Sequence, residues 1–237
     1  MDGGIAIASA DVASALDWWA LAGVDEGVDE TPRDWLKPFP GAPAKAAAQP
    51  IEHRPQVDLP DTLPALLDWL ATHPGLSAPP AHRIGPTGDP AGGTMILVDM
   101  PEDRDHTSRV LMGGPAGTLL DDMLKAIGLA RDGLYLAPFM PAHAMTRVPR
   151  EAVEHVARAQ RRHLALAAPT RLLMMGGGVT QALTGQPLAA ARGRWLDVAH
   201  ERGAVRAIAT FAPRFLLQQP MQKRAAWADL QLFRDGP

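Results

Sequence analysis

Thr94-Met-Ile-Leu-Val-Asp99 is a short, continuous apolar run that ends in an acid. A run of this kind is typical of a strand that is buried on both faces of a parallel sheet and followed by a loop. Similar runs follow at 133–136, 171–175 and 205–210, and helical patterns lie at 62–72, 116–127, 150–166, 179–183 and 222–233. Strands that alternate with helices predict an α/β sandwich with a mostly parallel central sheet.

The carboxyl ends of the four predicted strands are where a functional site is expected. In open parallel sheets, ligands bind in the crevice outside the carboxyl ends of the strands. We therefore expect the loops after Val98, Leu136, Met175 and Thr210 to surround any site.

The first 60 residues differ in pattern from the rest of the chain. Asp11–Gly23 has the spacing of a short amphipathic helix and contains the paired residues Trp18 and Trp19. Because aromatic residues dominate binding hot spots, this helix is a candidate anchor for a partner protein; the alternative is that it packs on its own domain. The predicted regions are an N-terminal helical extension at 1–30, a Pro/Ala-rich linker at 31–60 and the α/β domain at 61–237.

The composition of the 237 residues excludes several kinds of chemistry. The chain has no cysteine, so disulfides, thiolate metal sites and iron–sulfur clusters are excluded, and we expect neither a metal nor a cofactor. The start of the chain has no basic region of the signal-peptide type, and no apolar run approaches the roughly 20 residues needed to cross a bilayer. We expect a soluble cytoplasmic protein without membrane contact.

The small net charge of −3 conceals a division between the two halves of the chain. Residues 1–130 contain 8 Lys and Arg against 19 Asp and Glu, whereas residues 131–237 contain 15 against 7. The basic residues of the second half are almost all arginine, whose planar guanidinium suits phosphate. The second half is therefore a candidate nucleic-acid surface, with solvated helix faces as the alternative interpretation.

Several segments of the α/β part occur in a familiar order. They are Gly114-Pro-Ala-Gly117, Arg131-Asp-Gly-Leu-Tyr135, Arg192-Gly-Arg-Trp195, Thr210-Phe-Ala-Pro-Arg214 and Lys223-Arg-Ala-Ala-Trp227. In this order and spacing, the chain resembles the uracil-DNA glycosylase superfamily, and within it the thermostable family 4 type found in bacteria. The resemblance implies a three-layer αβα sandwich and a role in DNA repair by base excision.

The same resemblance implies that the residues used for excision are replaced. Met112 stands where the family has a phenylalanine that stacks on the flipped base, Pro138 where it has an asparagine that reads uracil, and Ala212 where it has a histidine. In place of the family's GEAPG loop, Asp99-Met-Pro101 leads into an acidic stretch. The expected base-pocket positions are Asp99, Met100, Pro101, Met112, Pro138 and Ala212. The candidates for activating a water molecule are Asp99, Glu102, Asp103 and Asp105, with a solvated acidic turn as the alternative.

Candidate DNA contacts lie in the glycine and arginine positions of these segments. The turn Met175-Gly-Gly-Gly178 joins a strand to a helix, where backbone N–H groups can hold a phosphate, although it lacks the GxGxxG and P-loop patterns. Arg214, beside Ala212, can reach a phosphate or a developing anion in place of the histidine. The full set is Gly114, Gly176, Gly177, Arg192, Arg194 and Arg214.

Three functions follow from these substitutions. The leading expectation is a pseudoenzyme of DNA repair or replication that acts by binding DNA, or a repair or replication protein through the Trp18/Trp19 helix. The alternatives are an active glycosylase that excises uracil or another damaged base, and an adaptor without DNA contact. The base pocket distinguishes them, because an enzyme needs an open cavity, whereas an adaptor can fill it with Met100, Met112, Phe139 and Phe211.

Overall fold

The computed structural model describes residues 58–76, 78–146 and 148–236. The predicted helix at 11–23, including Trp18 and Trp19, and nearly all of the predicted linker lie outside these residues. The bounds of the two N-terminal regions therefore stay predictions.

Among the residues that the structure describes, five strands form one sheet. They are β1 (Thr94–Val98), β2 (Tyr135–Pro138), β3 (Arg171–Met175), β4 (Leu196–His200) and β5 (Gly203–Thr210), in the order β2-β1-β3-β5-β4. The first four strands of that order are parallel, and β4 runs antiparallel to β5. Every residue of β1 is buried, as its continuous apolar run predicts. The predicted α/β fold with a mostly parallel sheet is confirmed.

The sequence patterns missed the edge strand β4. It alternates buried Leu196 and Val198 with exposed Asp197 and Ala199, because only one face of this edge packs on the core. The hairpin with β4 also extends β5 toward its N-terminus, so that β5 begins at Gly203 rather than at the predicted Val205.

Helices cover both faces of the sheet and complete three layers. Their bounds are α1 (Leu63–Thr72), α2 (Asp105–Ser108), α3 (Pro115–Ala126), α4 (Arg150–Ala167), α5 (Gly177–Thr184), α6 (Leu188–Ala191), α7 (Pro213–Gln218) and α8 (Lys223–Asp235). Residues from α1, α4, α5 and α6 share one core cluster with Met95 and Leu97 of β1. Residues from α3, α7 and α8 share the other with Ile96 and Val98. The short helices α2, α6 and α7 were not predicted.

None of the helices in the described part of the chain is both long enough and apolar enough to cross a membrane.

Candidate functional site

The carboxyl ends of the parallel strands lie level with one another. Val98 pairs in register with Pro138 of β2 and with Met175 of β3, and Met175 pairs with Thr210 of β5. Backbone hydrogen bonds continue just beyond these ends; for example, Gly176 N–H donates to Thr210 O at 2.9 Å. The four loops that the sequence placed around a site therefore meet at the carboxyl ends of the strands, although β2 spans Tyr135–Pro138 rather than the predicted 133–136.

Asp99, the first residue after β1, caps the start of α5. Its Oδ1 accepts a hydrogen bond from Val179 N–H at 2.6 Å, and the N–H groups of Gly177 and Gly178 also face the carboxylate. Gly176 has φ +133°, and a Cβ atom there would lie 2.0 Å from Asp99 Oδ2, so only glycine permits this approach. The glycine turn, predicted to receive a phosphate, already receives a carboxylate from the chain itself.

Two opposing effects act on the pKa of Asp99. Burial raises it, and the backbone N–H groups of Val179, Gly178 and Gly177 together with the charge of Arg214 lower it. Burial is the larger effect, so the pKa of Asp99 lies above the ordinary value of an aspartate.

The acidic loop after Asp99 separates into residues with different surroundings. Asp105 is buried, and its carboxylate accepts hydrogen bonds from the N–H groups of Glu102, Met112 and Gly113 at 2.8, 2.7 and 3.0 Å. These bonds close the loop and hold Met112 at φ +56°. Asp103 is exposed. Of the four predicted acids, Asp99 and Glu102 are the two that line the cavities at the sheet edge.

A very small inner pocket lies where the predicted base-pocket positions converge. Its volume is about 20 Å³, and it is lined by Val98, Asp99, Met100, Glu102, Met112, Ala212, Pro213 and Arg214. About one water molecule fits in such a space. Pro101 and Pro138 do not line it; Pro138 lines a separate small cavity, and its carbonyl accepts a hydrogen bond from Gln160 Nε2 at 3.0 Å.

A larger outer cleft lies directly beside the inner pocket. Its volume is about 380 Å³, within the range of roughly 300–1,000 Å³ that is usual for small-ligand sites. It is lined by Asp99, Gly176, Gly177, Leu188, Phe211, Ala212, Arg214, Phe215 and Gln218. The rings of Phe211 and Phe215 are stacked, with centroids 5.1 Å apart and an angle of 20° between their planes. Of the four residues expected to fill a pocket here, Met100 and Met112 line the inner pocket, Phe211 lines the outer cleft, and Phe139 lines neither.

Arg214 lies between the two cavities and lines both. Its Nε atom is 3.9 Å from Glu102 Oε1, and its terminal nitrogen is 3.5 Å from His143 Nδ1. Burial raises the pKa of Glu102, the charge of Arg214 lowers it, and that of Asp105 raises it, with a net rise. The guanidinium is still partly exposed, with 39% of its side chain accessible, so it can meet an anion from solvent.

The other predicted DNA contacts have different surroundings. Arg192 is mostly buried and bonds to Asp229 through two nitrogens, at 2.8 and 2.7 Å, and Asp229 also accepts a hydrogen bond from Thr210 Oγ1 at 2.8 Å. Any contact of Arg192 with DNA would therefore have to compete with an internal ion pair. Arg194 is exposed and donates to Gln186 Oε1 at 2.6 Å. Gly114 is the residue that precedes α3, and a Cβ atom there would meet open space.

Comparison with protein families identifies the fold. The family model described as the uracil DNA glycosylase superfamily matches residues 86–231, which is more than half of the chain. The chain belongs to this superfamily. The matched residues include all five strands, both cavities and the Arg192–Asp229 ion pair. The predicted superfamily is therefore confirmed, and DNA glycosylase chemistry is the reference against which its site is judged.

Some residues of the site were not singled out by the sequence patterns. Phe215, Leu188 and Gln218 line the outer cleft, and Asp229 holds Arg192. Phe211 lies before the N-cap of α7 and Phe215 within the helix, so no regular helical spacing marked the stacked pair in the sequence. Asp229 lies 37 residues beyond Arg192, so no local pattern could have linked the two.

Proposed function

We propose that this chain is a DNA-binding member of the superfamily, of the family 4 type, that serves DNA repair or replication without excising uracil. The observation that supports this most directly is the inner pocket of about 20 Å³. A glycosylase must extrude the target nucleotide and insert its base into a fitted pocket. A pyrimidine is several times larger than the single water molecule for which this pocket has room.

The chemistry of the inner pocket argues in the same direction. Ala212, which lines this pocket, has a side chain that neither donates nor accepts hydrogen bonds, so it cannot stabilise negative charge on a base. Pro138, in the position expected to read the base, offers no such group either and lies outside the pocket. The loss of one such donor typically costs on the order of a hundredfold or more in rate. Asp99, the acid nearest the sheet edge, has its carboxylate bonded to the start of α5.

The outer cleft and its surroundings supply the proposed DNA contacts. Arg214 presents a partly exposed guanidinium at the cleft, and Arg194 is exposed on the segment that leads into β4. In this proposal both arginines contact phosphates, and Gly114 lets the protein backbone approach the DNA closely. Gly176 and Gly177 line the cleft, but their turn is already occupied by the carboxylate of Asp99. Arg192 contributes by holding Phe211 in place rather than by direct contact, since its guanidinium lies 4.2 Å from the centre of that ring.

Two measurements test the proposal. The first is incubation with single- and double-stranded oligonucleotides that contain uracil, followed by strand scission at abasic sites; no scission is expected. The second is the affinity for plain DNA as a function of salt. Arg214→Gln should weaken binding and reduce the slope of log affinity against log salt by about one. Arg234→Gln, which removes an exposed arginine near the end of α8, is the matched control.

Three results would contradict the proposal. Efficient release of uracil would show that the inner pocket opens and that the replaced residues are dispensable. Affinity for DNA that does not change with salt would exclude a phosphate-dominated contact. A protein that bound no DNA at all would favour the adaptor role, with the segment around Trp18 and Trp19 as the first place to look for a partner.

A second candidate function is excision of a different damaged base. It is favoured by Asp99 and Glu102, which both line the inner pocket and both have a pKa raised by burial, as general acids and bases often do. The same scission assay with hypoxanthine or an alkylated base tests it. Excision of such a base that is lost in Glu102→Gln, with unchanged thermal unfolding, would establish this function in place of the first.

A further inference from the structure

We infer that the outer cleft holds one unpaired nucleotide of single-stranded DNA, with the base stacked on Phe215 and the adjoining phosphate at Arg214. This inference rests on the proposed DNA-binding function and names its substrate class. The nucleotide lies outside the inner pocket, beside the stacked pair Phe211 and Phe215. Binding therefore does not require a base to be flipped into the inner pocket.

In the stacked pair, Phe211 is held in place by its neighbours and Phe215 is accessible to solvent. Phe211 is partly buried, contacts the guanidinium of Arg192 at 4.2 Å, and Arg192 is itself held by the buried carboxylate of Asp229. Phe215 stacks on Phe211 but leaves 39% of its surface exposed to solvent. An exposed aromatic ring that is held by a rigid neighbour is suited to stack on a base, because every base offers a flat π face.

The sizes of the two cavities decide where a base can lie. The outer cleft, at about 380 Å³, is large enough for a nucleotide-sized ligand, whereas the inner pocket, at about 20 Å³, is not. A base that entered from solvent would therefore stop beside Phe215.

Charges in the cleft orient such a nucleotide. The cleft lining contains the carboxylate of Asp99, which repels a phosphate, and the guanidinium of Arg214, which is partly exposed and attracts one. The phosphate is thus expected at Arg214, and the uncharged base over the phenylalanines. The exposed amide of Gln218, also in the cleft wall, is placed to meet a polar edge of the base.

This arrangement favours single strands over duplex. In a duplex the bases are paired and stacked, and exposing one costs a few kcal/mol. An enzyme recovers that cost in a fitted pocket, but here the inner pocket, at about 20 Å³, is too small for a base. A single strand offers its bases without this cost, so it should bind more tightly than the same sequence in duplex form.

The test is fluorescence anisotropy with three labelled probes of equal length. They are a single-stranded oligothymidine, its DNA duplex with oligodeoxyadenosine, and an oligouridine RNA. Phe215→Ala should weaken binding of the single-stranded DNA by roughly 5- to 150-fold, which corresponds to the loss of one stacked base. The same change should leave the weaker duplex binding nearly unaltered. Leu217→Ala is the matched control, because Leu217 is an exposed apolar residue of α7 that does not line the cleft.

A conservative variant separates stacking from folding. Phe215→Tyr keeps the ring and should retain the affinity of the unchanged protein, whereas a purely structural loss in Phe215→Ala would also appear in its thermal unfolding. Equal affinities of Phe215→Ala and Leu217→Ala for the single strand would overturn the inference while leaving DNA binding intact. Tighter binding of the RNA than of the DNA would overturn the assignment to single-stranded DNA. The absence of any salt-dependent DNA binding would instead overturn the proposed function itself.

Discussion

His163 of α4 is buried in a hydrogen-bonded chain that fixes its protonation state. Gln160 donates through Nε2 to the carbonyls of Pro138 and Phe139, at 3.0 and 2.8 Å, so its Oε1 remains as the acceptor for His163 Nδ1 at 3.0 Å. His163 Nε2 then accepts from the hydroxyl of Tyr135 at 2.8 Å. The neutral imidazole with its proton on Nδ1 satisfies every partner, and a second proton on Nε2 would face the donor of Tyr135.

This geometry predicts a stability that falls in mild acid. Burial lowers the pKa of His163 to about 4, from an ordinary value of 6.5 in the unfolded chain. As pH falls, the unfolded chain takes up the proton first, so the stabilisation is present above about pH 6.5 and is lost progressively toward pH 4. Between about pH 7.5 and pH 5 the loss amounts to about 2 kcal/mol. In a domain of this size, that lowers Tm by roughly 4–8 °C.

Thermal unfolding at the two pH values, with and without His163, measures this effect. His163→Gln removes the titrating group and keeps a polar side chain, so it should be less stable at neutral pH but should lack the further loss of about 2 kcal/mol. His82→Gln, which replaces an exposed imidazole, should retain the full loss.

The pKa values of other groups also depart from their ordinary values, but these groups do not affect the comparison. The pKa of His155 is lowered by burial, by Arg158 and by His73, and it acts in the same direction as His163, while the raised pKa values of the buried carboxyl groups act in the opposite direction. All of these groups are present both in the unchanged protein and in His163→Gln. The difference between the pH dependences of these two proteins therefore isolates the contribution of His163. An equal loss of stability between pH 7.5 and pH 5 in the unchanged protein and in His163→Gln would refute the reasoning. So would an NMR titration in which the imidazole of His163 has a pKa near 6.5.

Two further predictions concern stability and use chemical denaturation as the measurement. Gly176→Ala should destabilise the protein by more than about 1 kcal/mol, since its Cβ would meet Asp99 Oδ2. The control Gly177→Ala, whose Cβ meets nothing within 4 Å, should change the free energy of unfolding by less than about 0.5 kcal/mol. Equal effects of the two substitutions would contradict the contact. Asp229→Asn should cost about 3–5 kcal/mol because it leaves a mostly buried guanidinium without its counter-charge. The control Asp235→Asn breaks an exposed pair and should cost less than about 1 kcal/mol, so a similarly small loss at Asp229 would argue against a structural ion pair.

The strands at the centre of the sheet were predictable because burial on both faces leaves a continuous apolar run. The runs at 94–98 and 171–175 match β1 and β3 to the residue. The edge strand β4 has one solvated face, and its alternating pattern over five residues is too short to distinguish from a loop. The residues at 203–204 belong to β5 only through their pairing with β4, so missing β4 also misplaced the start of β5.

The site was predictable in position but not in the role of each side chain. The meeting of the strand ends follows from topology, which the sequence reveals. The inward turn of Asp105 depends on backbone N–H groups of its own loop, which have no sequence signature. The charge pattern likewise cannot separate Arg192, held by Asp229, from the exposed Arg194.

Asp99 illustrates why an acid at a strand end is weak evidence for catalysis. A carboxylate at the start of a helix is stabilised by the free N–H groups and by the helix dipole, and here it ties the end of β1 to α5. Asp99→Asn would replace one of its oxygens with an amide donor facing N–H donors, so it should weaken the fold whether or not Asp99 activates water. Glu102 contacts Arg214 only at 3.9 Å. Because little structure depends on that contact, Glu102→Gln is the variant in which lost excision, with unchanged thermal unfolding, would identify chemistry rather than stability.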